Sequence, residues 1–263
     1  MENNKKKLRI LCLHGMAQNA ILFEKQTSKF LQDLKDQVEL VERATKVGEL
    51  VPKEERPYAW WFIPKVKPMD SDGFFYGFKE SIEYVQRVLL EQGPFDGILG
   101  FSQGACLTGC LAHMLDKRDF LIPADFPHPP LKFVIIIGGF ILSSQPATEH
   151  ILFPITAKQK VQTPSMHVIG ELDTIILPER SDALVDGFER PFVFRHPGGY
   201  AKINKSIFLY DMEKNINGLF SSNSLLLLIL LLLDTLSQKL RAVEKVFLNS
   251  YLQSLKLIDL KQP

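Results

Sequence analysis

The chain has 263 residues, 46% of them hydrophobic, enough for the core of one main α/β domain. Lys and Arg number 31 against 30 Asp and Glu, a net charge of +1, and no basic stripe with interleaved aromatics occurs, so a nucleic-acid role has no electrostatic support. Cys12, Cys106 and Cys110 form neither a disulfide framework nor a zinc spacing, and Met1 to Lys7 lacks the apolar segment of a signal peptide, so a reducing, cytoplasmic location is expected, the nucleus included.

Leu8 to Leu13 reads as a buried parallel strand that runs into His14-Gly15-Met16-Ala17-Gln18-Asn19, ahead of an amphipathic helix from about Ala20 to Leu34. A strand followed by His-Gly is where a serine hydrolase places its second oxyanion donor, here the backbone N–H of Met16. His14, at the strand end, reads as a structural or loop histidine and not as a base.

Val38 to Glu42 is a second strand. From Lys46 to Asp72 the chain is irregular, with Pro52, Pro57, Pro64 and Pro68 around Tyr58-Ala59-Trp60-Trp61-Phe62. A loop this long in a compact domain is functional or disordered, and its aromatics argue against disorder, so Trp60 and Trp61 are expected to face a substrate. Covering the sheet edge is the competing use of such rings.

Ile82, Val85, Val88 and Leu89 give Phe78 to Glu91 a helical period, and Gly93-Pro94 stops it. The apolar run Phe95 to Phe101 then leads through Gly100-Phe101-Ser102-Gln103-Gly104 into a helix over Cys106 to Leu115. Strand, G-x-S-x-G and helix in that order make a nucleophile elbow, in which the positions two before and two after the serine must be minimal. Gly100 and Gly104 satisfy this. Ser102 is the expected nucleophile, with the N–H of Gln103 facing any charge that develops beside it.

Leu131 to Ile137 is a further buried strand. Met166 to Ile169 is another, ending in Gly170-Glu171-Leu172-Asp173-Thr174, with a helix from Arg180 to Phe188 behind it. A carboxylate just past a late strand fits the acid of a Ser…Asp…His order, and Asp173 is preferred over Glu171. Phe192 to Arg195 is the last strand, and the loop His196-Pro197-Gly198-Gly199-Tyr200 is where the triad histidine belongs. These elements make a mostly parallel, doubly wound α/β sheet with helices on both faces. No metal constellation, P-loop or G-x-G-x-x-G appears, so no metal or cofactor is expected.

Leu-Cys-Leu-His-Gly-Met at 11–16, Trp-Trp-Phe at 60–62, the stretch from Gly93 to Ala105, Pro164 to Asp173, and His-Pro-Gly-Gly at 196–199 together resemble the FSH-type serine hydrolases. That family includes small fungal esterases, thioesterase-like partners of polyketide synthases and the human ovarian-cancer-associated esterase. The resemblance implies an α/β-hydrolase fold, Ser102 as nucleophile, Asp173 as acid, and small-molecule acyl esters or thioesters of short to medium length as substrates. The family's last loop reads approximately His-x-Gly-Gly-His, and the second histidine is the base. Tyr200 stands at that position, and a neutral phenol with a pKa near 10 is no base at pH 7.

Residues 8–199 are therefore expected to form the hydrolase core. Residues 200–235 contain polar, aperiodic sequence and the run Leu225 to Leu233, too short to span a bilayer, and are expected to be an insertion or translated intron. Leu236, Leu240, Val243, Phe247, Tyr251 and Leu255 then mark a closing amphipathic helix over 236–258. His196 is the nearest stand-in for the missing base. The competing expectation is an acyl-pocket binding protein that has lost catalysis.

Overall fold

The computed structural model describes residues 8–19, 38–42, 58–62, 75–118, 121–141 and 159–197, with 38–42 described as backbone. The expected helices over 20–34 and 236–258, the segment 200–235 and Tyr200 itself lie outside the described residues.

Strands β1 (Leu8–Leu13), β2 (Val38–Glu42), β3 (Gly97–Phe101), β4 (Phe133–Ile137), β5 (Ser165–Gly170) and β6 (Pro191–His196) form one parallel sheet in the order β2-β1-β3-β4-β5-β6. Every residue of β3, β4 and β5 is buried, which explains why β3 and β4 are continuous apolar runs, while β5 buries the polar Ser165 and His167 against each other. At the edge, β6 does alternate, burying Phe192, Phe194 and His196.

The helices are α1 (Phe78–Gln92), α2 (Gln103–Lys117) and α3 (Pro178–Val185). The α1 helix buries Phe78, Ile82, Val85, Val88 and Leu89 along one stripe and leaves Leu90 half exposed, as its period requires. In α2 every side chain from Gln103 to Leu115 is buried, because the helix packs on β1, β3 and β4 at the sheet centre. Burying Leu107, Leu111 and Leu115 there stabilises the fold by about 2 kcal/mol each. Pro178 opens α3 in the first turn, two residues before the expected start, and α3 ends at Val185; Phe188 instead bridges to Val161.

The chain builds outward from β1 to β2, then returns to the other side of β1 with β3 and continues to β6. The winding direction reverses between β1 and β3. Parallel sheets open a crevice at the carboxyl ends of the strands at such a switch point. The loop after β1 carries His14 to Gln18 and the turn after β3 carries Ser102, so both reach that crevice. At the opposite edge, Asp96 clips the strand starts together by accepting the Arg9 N–H at 2.8 Å and pairing with Lys132 at 2.7 Å.

Candidate active site

Ser102 has φ 53° and ψ −116°, a left-handed conformation that a residue with a Cβ rarely adopts. Its N–H donates to Ile137 O at 2.9 Å, continuing the β3–β4 ladder, while its carbonyl accepts the first helical bond from Cys106 N at 3.0 Å. One residue is thus held by strand on one side and helix on the other. The reversal leaves no room for neighbouring side chains. A Cβ on Gly100 would stand 2.2 Å from Gly104 O, and one on Gly104 would stand 2.2 Å from Leu13 O. Ala105 and Thr108 are fully buried, and Thr108 Oγ1 donates to Gly104 O at 2.8 Å. Ser102 itself keeps 8% exposure at the floor of the crevice.

Gln103 opens α2, and the first N–H groups of a helix have no carbonyl within the helix to bond. Across the crevice, Gly15 N donates to Gln18 Oε1 at 2.9 Å, and His14 Nδ1 donates to Gly15 O at 2.7 Å. His14 is buried against Trp60, its ring centroid 5.1 Å away, and burial pulls its pKa down to about 4. The ring is neutral at pH 7 and packed inside the loop, a loop histidine as its place at the strand end foretold.

Trp60 and Trp61 lie elsewhere than expected: they are 1% and 3% exposed, inside the core and not on the open face of the crevice. Trp60 Nε1 donates to His14 O at 2.8 Å, and Trp61 meets Phe78 edge-on at 5.8 Å. The reason is tertiary. The segment 58–62 is drawn in by an antiparallel bridge from Gln18 to Tyr58 and by both ends of the Gln103 carboxamide, which accepts Trp60 N–H at 2.9 Å and donates to Trp61 O at 3.0 Å. These side-chain roles of Gln18 and Gln103 have no sequence signal beyond a glutamine in each of the two turns, three residues after Gly15 and next to Gly104.

Asp173 follows β5 and is buried. Its Oδ1 accepts the N–H groups of Ile175 and Ile176, both at 2.8 Å, so the carboxylate organises its own loop. Leu172, Ile175 and Leu177 around it are exposed apolar residues, as is Met16 beside the β1 loop. Among the described residues no group of acidic, His or Cys side chains could hold a metal, and no helix is long and apolar enough to cross a membrane.

His196 is the last residue of β6, because Glu171 N donates to its carbonyl at 2.9 Å and extends the ladder past Arg195. Its ring stacks on Phe194 at 6.3 Å. Phe101, Ile137, Val168 and Phe194 are register partners across β3, β4, β5 and β6, so β6 lies three strand spacings, about 14 Å, from β3. From the strand itself an imidazole does not span that distance to Ser102. His167 is also accounted for: its Nε2 is 3.0 Å from Ser165 Oγ, its ring meets Phe188 edge-on, and burial lowers its pKa to about 3.

The family described as serine hydrolase FSH1 matches residues 1–201. The chain belongs to the FSH1 serine hydrolase family. Esterase OVCA2 of Xenopus tropicalis is 31% identical over 211 residues, covering 74% of this chain and 86% of that one. A Schizosaccharomyces pombe protein named dihydrofolate reductase is 30% identical over 220 residues, 77% of this chain, but the match spans only 45% of that protein's length. Acyl-protein thioesterase 2 of Zea mays superposes with a TM-score of 0.53 at 20% identity, covering 82% of this chain and 96% of that structure, which shows the α/β-hydrolase fold. As an FSH1 member the chain is a serine hydrolase.

Proposed function

We propose that the site cleaves carboxylic esters or thioesters of small molecules through an acyl-enzyme on Ser102. The observation that carries this reading is the strained elbow: Ser102 at φ 53° between two glycines that nothing larger could replace. Ser102 Oγ attacks the acyl carbon, and the developing oxyanion takes hydrogen bonds from the N–H groups of Gln103 and Met16. A base accepts the serine proton and returns it to the leaving alcohol or thiol; water then repeats the sequence to release the acid. Asp173 orients that base. The exposed apolar side chains of Met16, Leu172 and Ile175 suit the hydrocarbon part of an acyl group.

The base belongs at position 200. Four residues past the end of β6 give up to about 13 Å of extended chain, the length needed to come back toward β3. Tyr200 occupies this position, and the family match ends at residue 201. Both facts support the reading of 200–235 as an insertion or translated intron within a core that spans 8–199 and closes with 236–258. Sequencing the transcript across the Gly199 codon tests this: a message spliced to restore Gly-Gly-His bears it out, and one reading straight through to Lys205 refutes the intron.

The function itself is tested with p-nitrophenyl esters of graded acyl length on the Tyr200→His chain. Turnover that disappears with Ser102→Ala supports the hydrolase. Saturable acyl-ligand binding with no turnover in either form would instead indicate a binding protein.

A further inference from the structure

The segment 58–61 makes hydrogen bonds to both sides of the crevice, and their geometry bears on where the two oxyanion donors point. Consider first the peptide between His14 and Gly15. Its carbonyl accepts Trp60 Nε1–H at 2.8 Å, and its N–H donates to Gln18 Oε1 at 2.9 Å. Both ends are held, so the plane of this peptide is fixed. The next peptide joins Gly15 to Met16, and its carbonyl accepts His14 Nδ1–H at 2.7 Å. In a planar trans peptide the C=O and N–H point in opposite directions. Holding Gly15 O on the His14 ring therefore turns the Met16 N–H away from that ring.

The His14 ring is in turn held by Trp60, which packs on it at 5.1 Å while bonding its backbone. Trp60 is fixed to the other donor's residue, since its N–H donates to Gln103 Oε1 and Gln103 Nε2 donates to Trp61 O. Further anchors come from Ala17 N to Tyr58 O and Tyr58 N to Gln18 O, each 2.8 Å, and from Ser81 Oγ of α1 to Trp60 O. The carboxamide of Gln103 and the indole of Trp60 thus form a closed chain of bonds from the start of α2 to the β1 loop.

Resting on the acyl-transfer reading above, we infer that Trp60 is a positioning residue of the oxyanion hole: its indole N–H, with the Gln103 carboxamide behind it, sets the direction of the Met16 N–H relative to that of Gln103. It touches no substrate. Its effect falls on the stage at which negative charge has developed on the substrate oxygen, when a misdirected donor matters most.

The test uses Trp60→Phe, which keeps a buried aromatic ring and deletes the one N–H, alongside Gln103→Met, which removes both strap bonds. Inactivation by a fluorophosphonate, whose phosphoryl oxygen enters the same hole, is measured as a maximal rate and a half-saturating concentration on the full chain carrying Tyr200→His, which supplies the base. The inference expects the maximal rate to fall about tenfold in Trp60→Phe with half-saturation unchanged, and further in Gln103→Met. An unchanged maximal rate in folded Trp60→Phe, or a change confined to half-saturation, would overturn it. Amide exchange gives a second arm: the Gly15 and Ala17 N–H groups should exchange at least about tenfold faster in Trp60→Phe, and equal exchange would contradict the strap. If the Tyr200→His chain with Trp60 and Gln103 intact is not labelled at all, acyl transfer fails as a reading, while the exchange arm still decides whether Trp60 holds the loop.

Discussion

Gly100 and Gly104 meet back to back: the carbonyl of Gly104 occupies the space where a Cβ on Gly100 would stand, 2.2 Å away. Every other feature of the elbow follows from that approach, because it lets α2 start directly over β3 and pushes the residue between them into a left-handed conformation.

The two positions therefore tolerate no side chain. Gly100→Ala would also meet Thr108 Oγ1 at 2.3 Å, and Gly104→Ala would meet His14 O at 2.5 Å, mostly backbone obstacles that cannot rotate aside. Each substitution is expected to destabilise the protein by about 3 kcal/mol or more, or to prevent folding. Urea unfolding read by circular dichroism checks this, and midpoints within experimental error of the parent would show that the elbow is looser than described.

At Ser102 the expected sign is reversed. A non-glycine residue at φ 53° and ψ −116° carries strain of about 1–3 kcal/mol, whereas glycine's extra freedom in the unfolded chain costs about 0.5–1 kcal/mol. Strain is the larger effect, so Ser102→Gly should raise the unfolding free energy by about 1 kcal/mol while abolishing reaction with acylating probes. A lowered midpoint for Ser102→Gly would mean that the serine is not strained.

The buried histidines fix the pH dependence of stability. His14 and His167 have pKa values lowered to about 4 and about 3, both by desolvation, and burial of His128 lowers its pKa as well. The unfolded chain binds these protons near pH 6.5, the folded chain only further down. Their contribution is thus fully present above about pH 6.5 and is lost as pH falls toward 4, at up to about 1.4 kcal/mol per pH unit for each histidine. Urea midpoints between pH 7.5 and 5 should drop accordingly, and His167→Gln should flatten the drop. A midpoint constant over that range would show that the histidines are not held neutral.

The parallel sheet and the elbow were legible because their signals are local: an unbroken apolar run, a glycine at each side of Ser102, a helical period after it. The bounds of β1 and β2 match the structure, β4 starts two residues later than its apolar run, and β5 gains one residue at each end. What escaped was long-range. The bonds from Trp60 to Gln103 and to His14 join residues 43 and 46 apart, and nothing in a proline-rich loop announces that its aromatics will be drawn inside. The last strand, expected to end at Arg195, runs one residue further to His196, whose carbonyl accepts the Glu171 N–H.

As proposed above, Ser102 is a nucleophile that becomes acylated, and its missing base belongs at position 200, where this sequence has Tyr200. The most direct measurement is the intact mass of the Tyr200→His chain after exposure to a fluorophosphonate, beside the unsubstituted chain and a Tyr200→His, Ser102→Ala double variant. A single adduct on Ser102, formed at least about 100-fold faster with the histidine and absent from the double variant, is the predicted result. Equal labelling rates with and without the histidine, or an adduct that survives the loss of Ser102, would contradict the account.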